Sequence, residues 1–142
     1  MPQQLQSPEL QAWAMGFPIT LLHAGVTLLI LVAGAALYVM ITPHREIQLI
    51  REGNTAAAVS LSGVLVGLAI PLAISLSASK SMVDIAIWGA TTLAVQLAVF
   101  RLTDMILHGL PQRIQEGEVS AAALLVGAKL ATALVLAAAV AG

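Results

Sequence analysis

Cysteine is absent from this chain. That removes disulfides, thiolate nucleophiles and cysteine-ligated metals, and it leaves the redox compartment unmarked. Charge is scarce as well. Only 9% of the 142 residues are Asp, Glu, Lys or Arg, against roughly 25% in soluble domains. The net charge of -1 excludes nucleic-acid binding driven by bulk charge. No basic residue precedes Arg45, so the positive region of a cleavable signal peptide is missing and the first apolar stretch is expected to be retained. His23, His44 and His108 are scattered without metal-ligand spacing. Ser79 beside Lys80 reads as a surface pair rather than a Ser–Lys dyad, and no glycine-rich phosphate loop follows a strand. Neither an enzyme nor a cofactor or metal site is expected.

What the chain has is hydrophobic sequence, at 59% of residues and a mean hydropathy of +0.96. Four apolar stretches are long enough to cross a bilayer, for which about 20 residues suffice: 17–42, 54–77, 82–107 and 119–141. Ahead of them, Ser7-Pro8-Glu9 reads as a helix start. A short interfacial helix over about residues 8–16 is expected, with Trp13 as its anchor; a frayed tail is the alternative.

One stretch recurs. Gln48-Leu49-Ile50-Arg51-Glu52-Gly53-Asn54 and the alanine-rich run behind it return 64 positions later, without a gap, as Gln112-Arg113-Ile114-Gln115-Glu116-Gly117-Glu118. Gln, Glu and Gly matches carry weight in a chain this rich in alanine and leucine. The expected fold is therefore an all-α integral membrane protein of four transmembrane helices. It divides into an N-terminal segment 1–16 and a duplicated two-helix unit, 17–78 and 79–142. A unit of two spans gives parallel repeats, both in one orientation.

The basic residues set the expected topology. Arg45, Arg51 and Arg113 lie in the two motif connections, with Arg101 close by, and the opposite side has only Lys80. The positive-inside rule then places both connections in the cytoplasm and both termini outside. Lys80 and Asp84, four apart, are expected to form a solvated pair.

Lys129 is the sharpest single feature. It lies ten residues into the fourth span, roughly 15 Å deep, where an ammonium costs on the order of 3 kcal/mol. Asp104 is the carboxylate within reach, and Arg101 stands three residues before it on the same helix face. Arg101, Asp104 and Lys129 read either as an anion site or gate, or as a structural ion-pair network. Gln96 is expected to make an interhelical hydrogen bond. In the motif, two helix starts at Gly53-Asn54 and Gly117-Glu118 suit an anion, but Glu52 and Glu116 already occupy that positive ground, which favours simple capping. Gly63 and Gly67 form a small-xxx-small packing face, expected to support a homo-oligomer. Pro71 is expected to kink the second span, with Ser75 serving the freed carbonyl.

The run Arg51-Glu52-Gly53-Asn54-Thr55-Ala56-Ala57-Ala58 continues with Leu61, Gly63, Gly67, Ala69, Pro71, Leu72 and Ser75, then Asp84, Trp88, Gly89 and Gln96. This pattern resembles the domain of unknown function 350 family, the YjfL-like bacterial inner-membrane proteins, over nearly the whole chain. The resemblance implies a four-span protein of the bacterial inner (plasma) membrane with a duplicated unit and no established activity. The family's link with envelope-stress proteins implies a peripheral membrane partner. Glu118, where the second copy often keeps an Asn, departs from the pattern. A non-enzymatic envelope-homeostasis or stress component that recruits a partner or anionic lipid is the expected function, and a small channel or transporter is the alternative.

Overall fold

Two helices that begin at the repeated motif form the centre of the molecule. In the computed structural model, which describes residues 7–42 and 45–142, α3 (Thr55–Ala78) and α6 (Val119–Ala141) lie against each other over most of their length. Their alanine runs explain the close approach. Ala56, Ala57, Ala121 and Ala122 are all buried, in one cluster with Ile114 and Leu125. Among lipid tails, which are as apolar as leucine, such small residues are what lets two helices pack tightly. A Cβ on Gly63 would collide with Val126 of α6, and one on Gly67 would meet Phe100 at 2.5 Å.

Around this pair stand α1 (Pro8–Ile41) and α4 (Met82–Ile106), which pack on each other and on α3. A second core cluster joins them: Tyr38, Val64, Leu68, Leu72, Leu93, Leu97 and Phe100. Two short helices, α2 (Glu46–Arg51) and α5 (Leu110–Gln115), form the connections at one end of the bundle. The four long helices are each long and apolar enough to cross a membrane. α3 is the most enclosed of them and α1 the least.

Several expectations need correction. The separate interfacial helix over 8–16 is absent: α1 runs unbroken for 34 residues from its Ser7 cap. Pro18 does not end it, because the bond it removes is the one to the Ala14 carbonyl, and Ala14 is exposed. Residues 1–6 of the expected tail, and Pro43 and His44 in the first connection, lie outside the described residues. The Gly63–Gly67 face is occupied within the chain, so it is closed to a second copy. Ser75 does not serve a carbonyl freed by the buried Pro71: its hydroxyl has no hydrogen-bond partner among the described residues. Asp84 does not pair with the Lys80 ammonium. Its carboxylate accepts from the Lys80 backbone N–H at 3.3 Å, and its own N–H donates to the Ser81 hydroxyl.

Candidate functional site

The two connections share one hydrogen-bonded turn. In the first, the Gly53 N–H donates to the Ile50 carbonyl and the Asn54 N–H to the Leu49 carbonyl. In the second, the Gly117 N–H donates to Ile114 and the Glu118 N–H to Arg113. This is the Schellman closure, which needs a left-handed residue at its centre. Gly53 and Gly117 supply it, both at φ +89°. The residue after each glycine opens the next long helix, so a single turn ends a surface helix and starts a span.

The two turns differ in what that residue does. Asn54 accepts from the Ala57 N–H at 3.0 Å and so caps α3. Its amide also donates to the carbonyls of Ile114 and Gln115, at 3.0 and 3.1 Å, and so ties the first turn to the last turn of α5. Glu118 makes no capping bond. It pairs with Arg113 of its own connection and accepts from the Ser120 hydroxyl. The Arg113 bonds hold its carboxyl below the ordinary glutamate range, and Glu118 in turn raises the Arg113 guanidinium. Arg45, Arg51, Glu52, Arg113 and Glu116 are all exposed.

Inside the bundle the charged residues sort differently. Lys129 is fully buried, and its ammonium lies 2.8 Å from Asp104 Oδ1 as an ion pair without hydrogen-bond alignment. It donates to the Tyr38 hydroxyl, which donates to Asp104 Oδ2 at 3.3 Å. The rings of Tyr38 and Phe100 meet edge to face beside it, with the ammonium 4.6 and 5.5 Å from their centres. This aromatic wall adds cation–π attraction to the ion pair. Arg101 does not join. It forms no ion pair with Asp104 and stays partly exposed. Gln96 is fully buried, yet both atoms of its amide lack a hydrogen-bond partner among the described residues, contrary to the expected interhelical bond.

Sequence reasoning missed Tyr38, and it missed two further residues of the cluster. Glu46, the first residue of α2, is 4% exposed, and Ser60 of α3 is buried beside it. Tyr38, Thr42, Glu46, Ser60 and Asp104 border a void of about 10 Å³, which Pro111, Ile114 and Leu125 also line. That is room for about one water. Burial pushes the Glu46 carboxyl up to about 7; Lys129 opposes the rise, Asp104 adds to it, and Ser60 opposes it.

A signal for these residues lay in the 64-position register. Tyr38, Glu46 and Ser60 stand where the other half has Leu102, Leu110 and Leu124; Asp104 and Lys129 stand where it has Met40 and Leu65. Four of those five counterparts are exposed, Leu110 being half-buried. The polar cluster therefore exists once. It is assembled from both halves, and the equivalent positions on the other side are apolar.

Four long apolar helices around a buried polar centre define an all-helical, multi-pass membrane protein. The family model described as Domain of Unknown Function (DUF350) matches residues 12–140, and the chain belongs to that family. It is 40% identical over 78 residues to the UPF0719 inner membrane protein YjfL of Escherichia coli K12, and equally to that of Escherichia coli O157:H7. Each match covers 55% of this chain and 59% of the relative. No solved structure matches.

Proposed function

We propose that this protein is a non-enzymatic component of the bacterial inner membrane, built from a duplicated two-helix unit, that serves envelope homeostasis by recruiting a peripheral protein or anionic lipid. The recruiting surface is the pair of connections, α2 and α5, on the cytoplasmic side. One observation carries the reading: Arg45, Arg51, Glu52, Arg113 and Glu116 are exposed there, whereas Lys129 and Asp104 within the spans are buried as a pair. The inner-membrane location draws support from the names of the relatives, and the sidedness from the basic residues of the connections. The envelope role draws support from the family resemblance. With Gly63 and Gly67 spent inside the chain, self-association falls to the outer face of α1, the least buried helix.

The channel reading draws less support, because Lys129 packs against Asp104 and two aromatic rings rather than lining a water-filled path. The test is affinity capture with the full chain, alongside flotation with vesicles containing anionic lipid. Replacing Arg51, Glu52 and Arg113 together should remove the captured protein or the vesicle binding. An unchanged partner set and unchanged flotation would sink the proposal. Reporter fusions at both termini and both connections test the sidedness, which a cytoplasmic C-terminus would overturn.

A further inference from the structure

The buried cluster holds one carboxylate too many. Lys129 and Asp104 neutralise each other at 2.8 Å. Glu46 is left over: its Oε2 is buried without a hydrogen-bond partner among the described residues, and it borders the water-sized void. A buried, unpaired carboxylate is far more costly than a neutral carboxylic acid. A proton is the ligand that removes the surplus charge and fits a void of this size. Among the described residues, the groups facing it leave no second cation to do so. From α1 comes Tyr38; from α3, Ser60; from α4, Asp104, with Arg101 further off and partly exposed; from α6, Lys129, already paired; from α5, only Pro111 and Ile114. On α2 and its two cap positions, Arg45, Arg51 and Glu52 are exposed, as is His108 between α4 and α5.

Glu46 also sits where its charge has a mechanical consequence. It is the buried first residue of a six-residue helix whose Leu49 and Ile50 are only half-buried. We propose that Glu46 is a proton-binding site and that its proton holds α2 against the bundle, so that losing the proton releases α2 toward water. This rests on the reading of α2 as a recruiting surface and supplies its regulation: the bound proton decides how Arg45, Arg51 and Glu52 are presented.

The sign follows from the raised carboxyl. A group that ordinarily titrates at 4.5 and is held near 7 when docked binds its proton more tightly in the docked state. Docking is fully supported below the lower value and weakens as pH rises toward the upper one. The docking equilibrium should fall by roughly tenfold per pH unit across that window, as one linked proton requires.

The test uses the full chain in lipid nanodiscs, where the absence of cysteine allows Gln48→Cys and Gln115→Cys to be spin-labelled. Both positions border one groove between α2 and α5. Dipolar coupling between the labels should be strong at pH 5 and weaken above neutrality. Glu46→Gln, which mimics the protonated acid, should keep the coupling strong throughout. Infrared difference spectra should show a protonated-carboxyl band that titrates with the coupling and vanishes in Glu46→Gln. Coupling that ignores pH, a transition that survives Glu46→Gln, or a band without movement would each overturn the proposal. Loss of partner capture alone, with the transition intact, would sink only the recruiting function.

Discussion

Asn54 and Glu118 occupy equivalent places, each directly after a left-handed glycine and each opening a long helix, yet they act in opposite directions. Asn54 reaches out of its own connection and binds the carbonyls that end α5. Glu118 turns back to Arg113 within its own connection. The difference extends into the bundle. Equivalent positions hold a polar cluster on one side and apolar residues on the other. The same turn geometry can therefore recur while the residues around it divide the work: Asn54 ties the two connections together, and Glu118 keeps its charge within its own connection.

Lys129 and its counterpart Leu65 mark the widest divergence, so changes there should have the largest effect. Lys129→Leu should strand Asp104 as a buried unpaired charge and cost about 3–5 kcal/mol. Adding Asp104→Leu should recover most of that loss, because replacing both members of a buried pair is often neutral. Unfolding in detergent micelles, as a double-mutant cycle, reads both.

The glycine pair comes next. Gly63→Ala drives a methyl into the stiff, β-branched Val126 and should cost about 1–3 kcal/mol. Gly127, its counterpart, has open space around the position a Cβ would take. Gly127→Ala should be neutral or stabilise by about 0.5–1 kcal/mol, since alanine suits a helix interior better. Equal effects at the two sites would break the comparison.

The capping residues offer a finer probe. Asn54→Ala should cost about 1–2 kcal/mol from the lost cap and the lost bridge to α5. Asn54→Asp keeps the cap and loses the amide donor, which separates the two contributions. Glu118→Asn should raise the melting temperature slightly by giving α6 the cap it lacks. The smallest effect belongs to the surface pair. Arg113→Gln should let the Glu118 carboxyl rise back toward its ordinary range in an NMR titration, with little change in stability because the pair is exposed and screened by salt.

The spans and their connections were legible in the sequence because hydrophobic length and the Glu-Gly motif are local signals. Asn54 as a cap was legible for the same reason. The pairing of Lys129 with Asp104 was partly so: their depths differ by roughly 9 Å along the helix rise, a gap the long lysine side chain closes. What local pattern did not show was partnership across the halves. Arg101 precedes Asp104 by one helical turn, yet it is Tyr38 of α1 that joins the Lys129–Asp104 pair. Glu46 reads as one more charge in a polar connection until α2 folds it against the bundle. Gly63 and Gly67 advertise a packing face without saying whose helix fills it.

The closed cluster is the centre of this account, and flux through the reconstituted protein tests it most directly. Proteoliposomes carrying the wild-type chain, and the Lys129→Leu/Asp104→Leu double variant, should leak anions, protons and small cations no faster than empty vesicles. A wild-type flux that the double variant abolishes would show that Lys129 lines a path, and would contradict the buried, structural pair described above.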